Sequence, residues 1–219
     1  MVEPASGSGV GWHLPQSIAE PAFERLDSEV IERLGEHPSA ASEVCDVLDQ
    51  LGLATAVGHN TIGHRIGPPT LVGHVLTLAY LPERELAGPP EGHLAHHTVA
   101  SMARPGDVLV VAAMGEPNAS ILGGQGAGAL QAAGVAGAIV DGAIRDLSEI
   151  AETGLGVWSR AVSPRSGVRR LEAVAINAAI ACGGVQVRAG DLVVADCSGM
   201  AFVPLTALSL VVERLLAGR

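Results

Sequence analysis

Apolar residues at Phe23, Leu26, Val30, Ile31 and Leu34 recur at the spacing of one helical face, which predicts a helix over residues 21–34. Ser42 then stands as an N-cap ahead of Val44, Val47, Leu48 and Leu51, with Gly52 as the stop of a second helix. The pattern changes over residues 71–81, where β-forming residues predict a strand, and residues 82–90 follow as a polar, proline-bearing loop. Residues 93–103 read as a helix leading into a strand over 108–112. A further helix is expected over 126–133, stopped by Gly134, and it delivers the chain to a strand over 137–140 that ends in a tight Asp141-Gly142 turn. Short strands are expected at 156–158, 186–187, 192–195 and 201–203, after which Pro204 opens an amphipathic helix carrying Leu208, Val212, Leu215 and Leu216. Between Leu171 and Ala181 the alanine content favours a helix, whereas the alternation of Val174 and Ile176 favours a strand. Mixed helices and strands without internal repeats predict one α/β domain over 21–219, preceded by a flexible extension over 1–20.

The composition fits such a domain: 219 residues, 48% hydrophobic, with a mean hydropathy of +0.36. No apolar run reaches the length of a membrane span, and residues 1–11 lack the basic start and apolar centre of a signal peptide, so a cytoplasmic protein without membrane contact is expected. A net charge of −10 opposes phosphate backbones, and 2% aromatic residues leave few stacking platforms, so nucleic acid is not an expected partner. Cys45, Cys182 and Cys197 are odd in number and far apart, which suits reduced thiols. The chain contains no lysine, and that excludes a Schiff-base aldolase, a pyridoxal-phosphate enzyme and a Walker A loop together. If this chain breaks a carbon–carbon bond beside a carbonyl, a metal must act as the electron sink.

The candidate chemistry lies in Gly123-Gly124-Gln125-Gly126-Ala127 and in Arg145-Asp146, with Glu149 one helical turn further on. Unshielded loop amides can hold an oxyanion, and carboxylates can hold a divalent cation beside it. The bland alternative for Arg145, Asp146 and Glu149 is a salt-bridged surface turn. Residues 124–129 also satisfy a permissive dinucleotide fingerprint, but the strand expected to end near Ala113 leaves a long gap where that fingerprint needs a tight strand-to-helix turn. His93, His96 and His97 could share a helical face as zinc ligands, yet no carboxylate repeats a zinc spacing, so a polar helix N-terminus is the favoured reading. His59 and His64, near Asn60 and Arg65, fall in an expected loop that either borders the cleft or stands apart from it.

Gly124, then Arg145-Asp146 and a carboxylate three residues on, resembles the RraA-like family of class II aldolases, which cleave 4-hydroxy-4-methyl-2-oxoglutarate and 4-carboxy-4-hydroxy-2-oxoadipate. Residues 42–49, 104–111 and 189–196, with Val203-Pro204, are similar to further family segments, and the likeness spans roughly 22–216. It favours the strand over 171–181, because Gly183-Gly184 follows it as in a family strand. The resemblance implies a single-domain layered α/β/β sandwich of the RraA-like, swivelling phosphohistidine-like type. It implies a lyase acting on a small 2-oxo acid, by retro-aldol cleavage to pyruvate or by oxaloacetate decarboxylation. Arg145 and Asp146 would be catalytic, residues Gly123, Gly124, Gln125, Gly126 and Arg145 would bind substrate, and Asp146 and Glu149 would hold Mg²⁺ or Mn²⁺. A metal-bound water would serve as base toward the 4-hydroxyl. It also implies a homotrimer or homohexamer with sites between subunits. Two departures stand out, since family members commonly carry an acid where this chain has Gly124 and often end the central strand in Asp where it has Ala112. They keep open a second reading, a non-catalytic regulator that binds a ribonuclease or another protein.

Overall fold

The computed structural model describes residues 17–20, 22–84 and 95–217. In chain order these form β1 (Ser17–Ile18), α1 (Ser28–Gly35), α2 (Ala40–Gln50), β2 (Ala56–Gly58), β3 (Gly63–Ile66), β4 (Leu71–Pro82), α3 (His96–Met102), β5 (Val108–Leu122), α4 (Gly124–Ala132) and β6 (Gly137–Ile144). The chain continues through α5 (Leu147–Thr153), β7 (Gly156–Val162), β8 (Leu171–Ile176), β9 (Ile180–Cys182), β10 (Val185–Val187), β11 (Leu192–Asp196) and β12 (Gly199–Val203). A 3-10 turn over Leu205–Ala207 leads into α6 (Leu208–Ala217).

The large sheet runs β2-β12-β11-β4-β5-β6-β7-β3, with β8 on β4 and β1 on β8. Its centre, β4 to β7, is parallel. Parallel strands are buried on both faces and need apolar residues at successive positions. In β5, Leu109 and Val111 pack on one side with Val99, Leu130 and Ile150 from α3, α4 and α5. Val108 and Val110 pack on the other with Trp158, Phe202 and Cys182. A third cluster joins Leu34, Val44, Leu48, Leu208 and Val211 of α1, α2 and α6 to Val194 of β11. β4 knits the halves together: Leu71–His74 pairs antiparallel with β11, and Leu78–Pro82 pairs antiparallel with β8. This is the expected α/β domain.

Several boundaries differ from the pattern, each for a local reason. The helix expected over 21–34 starts only at Ser28, because Arg25 and Leu26 are bound elsewhere: Arg25 reaches Asp107, and the Leu26 N–H donates to His74 Nε2 at 2.9 Å. Ser39, not Ser42, stands at the N-cap of α2, without a side-chain capping bond. The terminal helix begins at Leu208 rather than at Pro204. Gly134 does end α4, one residue past the C-cap at φ +79°, a conformation in which a side chain would be strained. The strand reading of 171–181 holds, broken at Asn177, which has φ +58°. Ser17 and Ile18, placed ahead of the domain by the sequence, pair in parallel with Ala175 and Ile176 of β8.

Two corrections bear on the site. The expected Asp141-Gly142 turn does not exist, because β6 runs straight through it. Asp141 is tolerated inside the sheet because Arg160 Nε donates to Oδ1 at 2.6 Å and the Gly183 N–H donates to Oδ2 at 2.8 Å. Gly142 serves close packing, since a Cβ there would lie 2.8 Å from Ile121 Cδ1. β5 likewise does not stop near Ala113. It kinks at Met114 and Gly115, at φ +54° and +72°, shifts register against β6 and continues until Leu122 pairs with Ile144. The long gap assumed ahead of the glycine-rich loop is therefore absent. Among the described residues, no helix is long and apolar enough to cross a membrane.

Candidate functional site

Adjacent parallel strands β5 and β6 both deliver the chain into helix N-termini at their carboxyl ends, the usual place for a ligand crevice in an α/β sheet. From β5, Gly123 is the extended N-cap of α4, so the helix starts at Gly124 and not at residue 126 as expected. From β6 the chain passes through Arg145, whose N–H donates to Leu122 O at 2.9 Å, to Asp146, the N-cap of α5. Asp146 lies in the left-handed region at φ +56° and ψ +44°, which aspartate accepts more readily than most residues. Its carboxylate makes no capping bond to its own helix. Oδ2 instead lies 3.2 Å from Arg145 Nε and accepts the Gly124 N–H of the neighbouring helix at 3.4 Å.

The glycines make this approach possible. A Cβ at Gly123 would lie 2.6 Å from Asp146 Oδ2 and 3.1 Å from Arg145 Cγ. At Gly124 it would strike the Glu149 carboxylate and come within 2.6 Å of Glu149 Cβ. The side-chain space at 124, where the family resemblance leads one to expect an acid, is thus filled by the acid of residue 149. Ala112 gains no such replacement: its register partner Asp141 is held by Arg160 and Gly183 and does not line the cleft.

The cleft measures about 400 Å³. It gathers Gly123, Gln125, Gly126, Arg145, Asp146 and Glu149, so the glycine-rich loop and the Arg-Asp pair meet as the spacing implied, with Gly124 backing Glu149. Two carboxylates beside first-turn amides suit a hard cation, which takes one or two carboxylates and keeps several waters. Among the described residues, no three His, Cys, Asp or Glu side chains converge as a ready-made metal cage. With β5 ending at Leu122 and α4 starting at Gly124, the strand-to-helix turn is tight after all, and the spacing objection to a dinucleotide fingerprint over residues 124–129 falls away.

Sequence reasoning missed part of the cleft wall. Ser120, Ser166 and Val168 line it because Ser120 bridges to Ser166 and the Ser120 N–H donates to Arg165 O at 2.8 Å, a nonlocal contact without a motif. His96 and His97 line it too, but not as a zinc face. His97 is exposed, His96 is only 3% exposed, and His93 lies outside the described residues. Burial, with His97 adding to it, pushes His96 down to about 4, so its ring is neutral near pH 7. His64 and Arg65 sit on β3 rather than in a loop and do not line the cleft. The His64 ring packs edge-on against Trp158, and Arg65 Nε donates to Ser159 O at 3.2 Å.

Known proteins resemble this chain in sequence and in fold. A protein of Halalkalibacterium halodurans, provisionally named 4-hydroxy-4-methyl-2-oxoglutarate aldolase, is 38% identical over 106 residues, 47% of this chain and 48% of that one. One of Albidiferax ferrireducens with the same provisional name is 40% identical over 97 residues, 44% of this chain and 56% of that one. The chain spans about half the length of these curated relatives. The crystal structure of Streptomyces coelicolor RraAS2, described as an unusual member of the RNase ES inhibitor RraA protein family, superposes with a TM-score of 0.76 at 30% identity, covering 90% of this chain and 94% of that one. The RraA-like family, described as Aldolase/RraA, matches residues 41–202, a stretch that contains both glycine-rich loop and Arg-Asp pair, and the chain belongs to that family.

Proposed function

We propose that the chain is a divalent-metal-dependent carbon–carbon lyase acting on a 2-oxo carboxylate. The observation that carries this reading is the convergence of Arg145, Asp146 and Glu149 on the amides of the α4 N-terminus in one cleft. The provisional aldolase names of the two curated relatives support it. Asp146 and Glu149 would hold Mg²⁺ or Mn²⁺, and the chemistry such a cation supplies is Lewis acidity toward the 2-oxo oxygen.

The first-turn amides over residues 123–126 receive the substrate's C1 carboxylate. Arg145 lies beside the 2-oxo group and stabilises the negative charge that grows on its oxygen. In a 4-hydroxy-2-oxo acid the 4-hydroxyl loses its proton to water, the C3–C4 bond breaks, and its electron pair forms the enolate across C2 and C3. Proton return to C3 gives pyruvate, and the former C4 leaves as a carbonyl. In oxaloacetate the same electron pair is released as carbon dioxide departs, so one site serves both reactions.

Chelator-treated protein should regain pyruvate release from a panel of 2-oxo acids when Mg²⁺ or Mn²⁺ is restored, and Asp146→Ala should not. Arg145→Lys should lose roughly a hundred- to a thousandfold in turnover, as for other lost oxyanion donors, because the planar fork is gone although the charge remains. Full activity of Asp146→Ala would remove that residue from the mechanism. The relation to RraAS2 favours a second reading, a non-catalytic regulator that binds a ribonuclease. Absence of pyruvate release from every 2-oxo acid in the panel would favour it.

A further inference from the structure

Among the described residues, one buried side-chain polar atom lacks a hydrogen bond: His96 Nε2. Buried polar groups are nearly always paired, and an unpaired one costs stability. The contrast with His74 is direct. That ring, equally buried, has Nδ1 3.0 Å from Gly190 O and accepts the Leu26 N–H on Nε2 at 2.9 Å. The two histidines are buried alike, but only His96 stands in the wall of the cleft.

Its position along the cleft is informative. The ring packs on the first turn of α4, where a Cβ on Gly126 would lie 3.3 Å from His96 Cγ and Nδ1. Arg145 and Asp146 crowd Gly123, and Glu149 crowds Gly124. At about 1.5 Å of rise per residue, Gly126 lies roughly 4.5 Å along α4 from Gly123. A 2-oxo acid held at C1 and C2 by the loop amides and Arg145 would carry an oxygen on C4 over a comparable reach. A neutral imidazole offers one donor and one acceptor, which matches an alcohol, and it adds no charge beside the two carboxylates.

We propose that His96 is a substrate-contacting residue that hydrogen bonds the C4 hydroxyl of the bound 2-oxo acid, and so selects hydroxylated substrates over plain ones. The assignment rests on the lyase reading of the cleft. Its ligand class is 4-hydroxy-2-oxo dicarboxylates, and oxaloacetate, which has no hydroxyl, is the internal control.

The test compares the magnesium-loaded parent with His96→Phe, which keeps an aromatic ring, and His96→Gln, which keeps a hydrogen-bonding group near Nε2. Values of kcat and KM are measured for 4-hydroxy-4-methyl-2-oxoglutarate and for oxaloacetate. Losing one neutral hydrogen bond should lower kcat/KM of His96→Phe on the hydroxylated substrate about tenfold, while oxaloacetate stays within about threefold and His96→Gln recovers part of the loss. Equal losses on both substrates in folded variants, or no loss on either, would overturn the assignment and leave the lyase reading standing. A parent that turns over neither substrate and binds neither by calorimetry would overturn both.

Discussion

Two Arg–Asp pairs at opposite ends of the central parallel strands show how one chemistry serves two purposes. At the amino ends, Asp107 is 1% exposed and both its oxygens are taken by Arg25, from Nε and from a terminal nitrogen, each at 2.8 Å. The Arg104 N–H adds a third bond at 2.9 Å, and Arg25 stacks on Phe23 with its guanidinium carbon 4.3 Å from the ring centroid. At the carboxyl ends, Arg145 and Asp146 are 41% and 34% exposed, and their single contact is 3.2 Å. Both recorded partners of Asp146 fall on Oδ2, and its backbone is left-handed. The first pair is closed around itself. The second keeps capacity for something else, and that difference, more than the presence of an Arg-Asp dipeptide, marks it as functional.

The sharpest way to break the comparison is to remove each carboxylate in turn. Asp107→Ala leaves a largely buried Arg25 unpaired and should cost about 3–5 kcal/mol in urea denaturation. A loss below about 1 kcal/mol would show that the closed pair is not structural in this sense.

The two buried histidines offer a second contrast, through pH. For His96 the folded value, about 4, lies below the ordinary 6.5, so only the unfolded chain takes up a proton as the pH falls between those values. Stability is therefore full above about pH 6.5 and declines through that window, by about 3 kcal/mol at pH 4. His74 is also lowered, by burial first, and pulls in the same direction. The measurement is thus the difference between the parent and His96→Phe, whose curve should be flatter by His96's share. Parallel curves would show that His96 carries no such linkage.

These contrasts also mark what the sequence could and could not reveal. Gly123, Gly124, Arg145, Asp146 and Glu149 were legible through the family-like spacing of loop and Arg-Asp pair, not through the strands, because the strand before the loop read as ending near Ala113. The core strands were legible because Leu109 and Val111 alternate with Val108 and Val110 in an unbroken apolar run. β5 beyond Ala113 was not: Gly115 and Pro117 signal a break, and the pairing of Leu122 with Ile144 rescues the strand from a distance. Asp141-Gly142 read as a turn because its partners, Arg160 and Gly183, are remote in sequence. His96 looked like a polar helix start, since burial by α4 is invisible in a local pattern.

Gly124→Ala probes whether the open end depends on bare backbone. Alanine is the better helix former by up to about 1 kcal/mol. Here, however, its methyl would collide with Glu149 at both the carboxylate and Cβ, so α4 and α5 must part. Overpacking of this kind should cost about 1–3 kcal/mol and lower the apparent Mg²⁺ affinity, read by metal titration of pyruvate release. A stabilised, fully active variant would show that Glu149 need not stand where it does.

The smallest stability change is expected where the functional change is complete. Asp146→Gly removes an exposed ion pair worth about 0–1 kcal/mol and relieves a left-handed backbone that costs a non-glycine residue about 1–2 kcal/mol. Against this, glycine adds unfolded-state freedom worth about 0.4–1 kcal/mol. The terms nearly cancel, so the urea midpoint should move by less than about 1 kcal/mol equivalent while metal-dependent pyruvate release is abolished. Had Asp146 been held as Asp107 is, its removal would cost several times more. A destabilisation as large as that of Asp107→Ala would therefore make the second pair structural and erase the distinction between the two ends of the sheet.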